Sequence, residues 1–337
     1  MTLRGYIVRR SINSVILIFA VIVFNFFLFR LQIFILGVDP VDIALGGAFF
    51  ENDIREQIRE SLGIPTKDAN FEVWYNYFLD YVARMITLDF GESFLQRLNV
   101  YDLIAQRLPN TVILLGTSSI LTIIIGIILG TTAAAKRGTR YDMSFITISL
   151  AAYALPVFWI GMLLIMIFGS YLNWFDVAGG THSVKCQQGL CDPVTDFLDL
   201  LNHMTLPVVA LILNGFGSYL LLMRNNLVDV LTEDYIVTAR AKGLPESTVL
   251  YKHAFRNAVL PMVTIIALTF AFIISGAVLT ETVFSWPGLG KLILDSLLLQ
   301  DWPVAEAVFL LIAITVIVAN FIADLLYGVL DPRVKYT

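Results

Sequence analysis

Between Asn110 and Ala135 the chain runs for 26 residues without a charged side chain. Crossing the hydrocarbon core of a bilayer takes a helix of roughly 20 mostly apolar residues, so this segment is long enough to do it. Five further stretches have the same character: Ile12–Phe29, Met143–Leu172, Leu200–Met223, Asn257–Thr280 and Ala307–Ala323. Lipid tolerates no unpaired backbone, so each is expected to be an α-helix. Pro156, inside the third, is compatible with a span if neighbours satisfy the carbonyl it frees. Composition agrees: 15% of residues are charged against about 25% in soluble domains, and mean hydropathy is +0.79. Such hydropathy excludes disorder, and a formal charge of −5 argues against a nucleic-acid partner. The expected fold class is an all-α polytopic membrane protein with six transmembrane helices.

Arg4, Arg9 and Arg10 ahead of the first apolar run give it the opening of a secretory signal. The run is long, however, contains Asn13 and Asn25, and ends on Arg30 rather than on small residues; it reads as an uncleaved helix. Basic residues concentrate in cytoplasmic loops. With the N-terminus inside, the cytoplasmic face carries 13 basic and 6 acidic residues and the outer face 9 and 20, leaving Asp324 within the sixth span. Both termini are therefore expected in the cytoplasm. The chain divides into the N-terminus and first span (1–31), an extracytoplasmic domain (32–108), a membrane core with a cytoplasmic loop at 224–256 (109–328), and a cytoplasmic tail (329–337). The extracytoplasmic segment shows helical patterning over Phe50–Leu62 and Phe71–Ile86, separated by Gly63-Ile-Pro65. Its Phe71, Trp74, Tyr75, Tyr77, Phe78 and Tyr81 require something to pack on, so it is expected to be a small α-helical domain rather than a linker.

Catalytic groupings are not found. Gly288-Leu-Gly290-Lys291 lacks the hydroxyl residue that follows Lys in a phosphate loop, and Ser285 stands where its first glycine belongs. The three histidines, His182, His203 and His253, are not paired at zinc-ligand spacing, so no metal is expected. Ion-coupled carriers hold acids or bases near mid-bilayer. Here only Asp324 lies in a span, and Glu281 at the outer end of the fifth; either could relay a proton or be a packed, capped acid. An ion-coupled carrier or a channel is therefore the alternative to a partner-driven transporter. Asn214 and Ser218, with Gly215 and Gly217, either line a polar path in the fourth span or pack it, and Glu281 is a further path candidate. Gly126-x3-Gly130 fits the small-residue pattern of close helix contact, and Trp286 is among the candidate interfacial anchors.

The cytoplasmic loop is the most informative stretch. Leu227–Lys242 reads as one helix with apolar residues at Leu227, Val230, Leu231, Tyr235 and Ala239; Gly243-Leu-Pro245 breaks it. Pro245 suits the first turn of a second helix, where Glu246 is favoured by the positive helix end. A helix–glycine–helix elbow either docks into a groove on a soluble partner or lies as an amphipathic hairpin on the membrane.

The run Asp234-Tyr-Ile-Val-Thr-Ala-Arg-Ala-Lys-Gly243, continuing to Arg256-Asn-Ala-Val-Leu-Pro261, resembles the Glu-Ala-Ala loop of ABC importer permeases. It is closest to the dipeptide/oligopeptide/nickel branch, where Thr-Ala-Arg-Ala-Lys-Gly replaces the Glu-Ala-Ala start. Tyr6-Ile-Val-Arg-Arg10, Leu88-Asp-Phe-Gly91-Glu-Ser93 and Arg107-Leu-Pro-Asn-Thr111 are similar too. So are Glu281-Thr-Val-Phe-Ser-Trp-Pro-Gly-Leu-Gly290 and the tail Asp324-Leu-Leu-Tyr327…Leu330-Asp-Pro-Arg333. The large segment between the first two spans is similar to that of the B-type permease chain. The resemblance implies a type I permease fold in the plasma (inner) membrane. It implies pairing with a second homologous permease chain, two cytoplasmic ATPase subunits that bind the ATP and Mg, and an extracytoplasmic substrate-binding protein. This chain would hold no cofactor and no catalytic residue. Thr238, Ala239, Arg240, Ala241, Lys242, Gly243, Leu244 and Glu246 would couple it to the ATPases. Cargo would be peptides, oligosaccharides or nickel chelates.

Two departures from the family pattern fall outside the core: extra residues around Val41–Ile54, and Cys186 and Cys191 in the loop Thr181–Pro193. On the outer face a disulfide between these two cysteines is permitted and is favoured over two free thiols.

Overall fold

The computed structural model describes residues 3–35, 65–66, 69–176, 180–182, 191–273 and 276–330, with Val41, Glu56, Arg59, Cys186 and Gln188 singly. The expected helix at 50–62 falls almost wholly outside these residues, as does the tail from 331. Among the described residues the chain is helical and has no strand, only one antiparallel bridge between Glu92 and Asn99.

The helices are α1 (Leu3–Ile35), α2 (Phe71–Thr87), α3 (Val100–Ala135), α4 (Arg140–Ala154), α5 (Val157–Leu164, continued by a π-helical run Ile165–Tyr171) and α6 (Pro193–Val230). They continue as α7 (Asp234–Ala241), α8 (Glu246–Thr248, followed by a π-helical run Val249–Ala254), α9 (Phe255–Ala258), α10 (Leu260–Ala271), α11 (Val278–Val283), α12 (Leu289–Leu298) and α13 (Trp302–Leu330). Four of them are long and apolar enough to cross a membrane: α1, α3, α6 and α13. There are up to six spans if each of two bent pairs counts as one, α4 with α5 and its π-helical run at 96°, and Glu246–Ala258 with Leu260–Phe270 at 52°.

Breaks correct two expectations of continuous helices. Pro156 does not sit inside a continuous helix; it separates α4 from α5. Leu155 adopts an extended ψ of 133°, as a residue before proline is pushed to do. The Leu155 carbonyl left over at the break accepts from the Asn214 side-chain amide at 3.1 Å. In the fifth span α10 stops at Ala271 and α11 starts only at Val278, with Gly276 in the gap at φ +79°. The expected helix Leu227–Lys242 is also two. Thr232 Oγ donates to the Asp229 carbonyl at 2.7 Å, a local bond of the kind that competes with the helical ladder, and Glu233 turns extended with ψ 148°.

Other boundaries lie further out than the apolar runs alone suggest, because polar caps extend the helices. Asn99 Oδ1 accepts from Tyr101 N at 2.8 Å and starts α3. Asp192 accepts from the N–H groups of Val194 and Thr195 at 3.2 and 3.3 Å and starts α6, with Pro193 in its first turn. A carboxylate at this position satisfies helix donors that have no partner inside the helix. The Thr195 hydroxyl, bonded to the Asp192 carboxyl, is the main cause holding that carboxyl below its usual range.

Two packing units position the rest. In one, α3 and α6 meet at Gly126 and Gly130; a Cβ on Gly126 would lie 2.4 Å from Tyr219 Cβ, and one on Gly130 would lie 2.5 Å from the Leu220 carbonyl. In the other, α1, α2, α12 and α13 share a core including Ile22, Phe26, Tyr81, Met85, Leu289 and Val308. Asn25, fully buried, donates to Tyr81 Oη at 3.0 Å and to the Glu306 carbonyl at 3.1 Å. Of the aromatics expected to pack, Tyr81 is buried and Trp74, Tyr77 and Phe78 pack against this core. Phe71 and Tyr75 do not: both are exposed and stack on each other at 6.2 Å.

Candidate functional site: the elbow and the contacts between motifs

The elbow forms where α7 folds against the end of α6. Ile236 and Ala239 of α7 are buried against a cluster that includes Leu227, Val249, Leu250, Ala254 and Met262. Gly243 follows at φ +75°, and a Cβ there would meet nothing within 4 Å. Glycine is thus required by the left-handed backbone and not by space. Across the turn the Arg240 guanidinium grips the Glu246 carboxylate in two-point fashion, Nη2 to Oε1 at 2.6 Å and Nε to Oε2 at 3.2 Å. This pair lies in the loop outside the spans, and it lowers the Glu246 carboxyl pKa. The Asn257 amide donates to Tyr235 Oη at 2.7 Å, fastening α7 to α9.

Of the residues expected to couple, Thr238, Arg240, Ala241, Lys242, Gly243 and Glu246 are exposed and Leu244 is half-buried. Ala239 is 6% exposed and packs inward, because it shares the buried side of α7 with Ile236. The outward face adds Tyr235, Val237 and Tyr251, all exposed. Behind the elbow Arg224 holds Asp142 through Nε–Oδ1 at 2.6 Å and Nη2–Oδ2 at 2.8 Å, and Gly138 N–H donates to the same carboxylate at 3.0 Å. Asp142 and Arg224 are 82 positions apart, and no local signal joins them.

The motifs quoted above from distant parts of the chain touch one another. Glu281 is fully buried. Its carboxylate accepts from the Thr111 hydroxyl at 2.9 Å and from Lys291 N–H at 2.9 Å, with Ala277 N–H at 3.4 Å. Thr111 Oγ in turn accepts from Leu289 N–H at 2.7 Å. Asn110 donates to the Pro287 carbonyl at 2.9 Å, and Trp286 Nε1–H donates to the Asn110 carbonyl at 3.0 Å. Gly288 is glycine because a Cβ would lie 2.4 Å from Glu281 Oε2 and 2.5 Å from Thr111 Oγ. The segment Arg107–Thr111 and the segment Glu281–Gly290 therefore form one polar knot. Trp286, 1% exposed, belongs to that knot and is not an interfacial anchor. The same holds elsewhere. Arg10 pairs with Asp324, joining the first motif to the last. Ser93 bonds to Asp301, whose other oxygen accepts from Phe94 N–H at 2.9 Å.

Of the three path candidates, Asn214 and Ser218 lie one turn apart on α6 and Glu281 lies on α11. Asn214 is half-buried at the Pro156 break, and Ser218 is exposed with its hydroxyl turned back to the Gly215 carbonyl at 2.8 Å. Glu281 is enclosed by its own chain. Cys186 and Cys191 are joined by a disulfide with Cα atoms 4.9 Å apart. Intact-mass measurement under non-reducing conditions should accordingly find no thiol-labelled cysteine, since the chain has only these two; labelling of both without reductant would refute the bond.

Long apolar helices able to cross a membrane, with an exposed elbow between two of them, describe a helical membrane subunit. Comparison with known sequences gives the family. Residues 122–336 match the binding-protein-dependent transport system inner membrane component, and residues 3–115 match the N-terminal part of such membrane components. The chain is 34% identical over 333 residues to the oligopeptide transport system permease protein AppB of Bacillus subtilis (strain 168), covering 98% of this chain and 99% of that one. It is 34% identical over 342 residues to the di/tripeptide transport system permease protein DppB of Pseudomonas aeruginosa (strain UCBPP-PA14), with the same two coverages. It is 33% identical over 332 residues to the glutathione transport system permease protein GsiC of Escherichia coli (strain K12), again covering 98% and 99%. The chain belongs to the binding-protein-dependent ABC permease family. It is a non-catalytic, multi-pass inner membrane subunit of a transporter complex.

Proposed function

We propose that this chain forms half of the translocation path of an ATP-driven peptide importer. A second permease chain forms the other half, two ATPases dock at the elbow, and a substrate-binding protein delivers cargo on the opposite face. Both termini and the elbow lie in the cytoplasm on this reading, which rests on the asymmetry of basic residues. The relatives named for oligopeptide, di/tripeptide and glutathione transport favour short peptides over oligosaccharides or nickel chelates. On this reading residues 32–108 form the extracytoplasmic domain, to which α2 belongs.

One observation carries the coupling role. The elbow is rigid where it meets α6 and α9, through Ile236, Ala239 and the Tyr235–Asn257 bond, and exposed where a partner would grip it. A lever needs both properties. Movement of the ATPases would reach α6 through Leu227 and Arg224 and so reach its partner α3. Gly243→Leu tests this. A leucine at φ +75° costs on the order of 1 kcal/mol or more, too little to unfold a membrane bundle but enough to reshape the tip. The variant should insert and assemble, retain basal ATPase activity of the complex, and lose most of the peptide uptake that wild type shows. Normal uptake by Gly243→Leu would remove the docking role. Uptake by the lone chain in vesicles with only an ion gradient would overturn the whole reading in favour of a secondary carrier.

A further inference from the structure

The histidines are not paired with one another at zinc-ligand spacing, yet the fold assembles a ligand set near the start of α6. A ring nitrogen of His203 and one carboxylate oxygen from each of Asp176 and Asp199 lie within 4.8 Å of one another. The His203 side chain is 2% exposed and that of Asp199 14%, while Asp176 is exposed, so the group opens to solvent from one side. His203 Nδ1 stands 2.9 Å from the Asp199 carbonyl and 3.6 Å from Oδ1 of that residue's carboxylate. A carbonyl only accepts, so Nδ1 carries the proton and the free lone pair is on Nε2. That nitrogen is buried and has no hydrogen-bond partner. Buried polar atoms are nearly always paired, and one that is not points to a missing partner such as an ion. Asp176 is placed deliberately: its N–H donates to Asn202 Oδ1 at 2.9 Å, which seats it on α6 beside His203.

We propose that Asp176, Asp199 and His203 bind a divalent first-row transition cation, with Zn2+ as the best fit. An imidazole beside two carboxylates suits such an ion, whereas Ca2+ and Mg2+ take sets made wholly of oxygen. An Nδ1–H held by a backbone carbonyl is the usual outer contact of a ligating histidine. Zinc bonds of about 2.1 Å place tetrahedral ligand atoms about 3.4 Å apart, so the exposed Asp176 side chain closes the site by a change of rotamer and water fills the fourth position. The bound ion clamps the segment that follows the π-helical run Ile165–Tyr171 onto α6. It does so about 45 Å along the helix axis from the elbow, independently of the coupling role.

The test is a ZnCl2 titration by calorimetry of the tag-free transporter complex containing the full chain, after removal of adventitious metal. Wild type should bind one more Zn2+ than the Asp176→Asn complex, or bind that ion at least tenfold more tightly, and excess Mg2+ or Ca2+ should not compete. X-ray absorption at the zinc edge should show one imidazole nitrogen with oxygens, and the imidazole signal should vanish in His203→Gln. Asp176 is exposed, so Asp176→Asn leaves the fold intact and decides alone if His203→Gln fails to assemble. Equal Zn2+ binding by wild type and Asp176→Asn overturns the site, as does competition by Mg2+ or Ca2+, or no wild-type binding below about 0.1 mM.

Discussion

Glu281→Ala should nearly abolish the folded subunit. The carboxylate is fully buried and answers the Thr111 hydroxyl, Lys291 N–H and Ala277 N–H. Its removal strands two or three donors in a dry interior at about 1–3 kcal/mol each, for a total on the order of 3–6 kcal/mol. Whole domains are stable by only about 5–15 kcal/mol. Gly288→Ala attacks the same knot from outside, since its Cβ would overlap both Glu281 and Thr111. The yield of monodisperse protein in detergent and the thermal midpoint read the effect. Glu281→Gln separates the two meanings of this residue. It keeps an acceptor for Thr111 but turns an NH2 towards Lys291 N–H, so a structural knot should lose stability part-way. If Glu281 instead relayed protons, Glu281→Gln would assemble with unchanged stability and lose only transport.

Gly126→Leu and Gly130→Leu should each dismantle the α3–α6 pair. At Gly126 the new atoms meet Tyr219 Cβ and the Phe216 carbonyl; at Gly130 they meet the Leu220 carbonyl and Met223 Cβ. The obstacles are backbone and first side-chain carbons, which cannot swing away, so the helices must separate. Overpacking a core commonly costs about 1–3 kcal/mol where side chains can adjust, and here they cannot. Gly116→Leu on the same helix is the control, because a Cβ there meets nothing within 4 Å. The expected outcome is a large fall in thermal midpoint for the first two and little change for the third. Equal tolerance of all three would show that α3 and α6 do not need close approach.

The sequence makes plain what depends on short-range pattern and conceals what depends on meeting at a distance. The apolar runs locate α1, α3, α6 and α13, and Gly243-Leu-Pro245 marks the elbow, because a helix period and a left-handed turn are written in adjacent residues. The breaks at Leu155 and Ala271 escape the same reading. Hydropathy continues unbroken through both, and proline and glycine are admissible in membrane helices. The knot was visible as two separate motifs, but Asn110 and Thr111 come 170 or more positions before Glu281, and nothing local says that they touch. In the Asp176–Asp199–His203 set, Asp199 and His203 stand one helical turn apart on α6, and only the fold brings Asp176 to them. Ala239 was assigned to the docking surface by its place in a motif, while its helical phase with Ile236 turns it inward.

The Arg10–Asp324 pair and the bond from Asn25 to the Glu306 carbonyl set an order on the birth of the molecule. Through both contacts α1 leans on α13. At about 5–20 residues per second, the ribosome needs roughly 15–60 s after Arg10 to reach Asp324. Through that interval the Arg10 guanidinium lacks Asp324, and the Asn25 amide, with Tyr81 Oη already made, lacks the Glu306 carbonyl. A chain halted before α13 therefore lacks both of these polar contacts of α1.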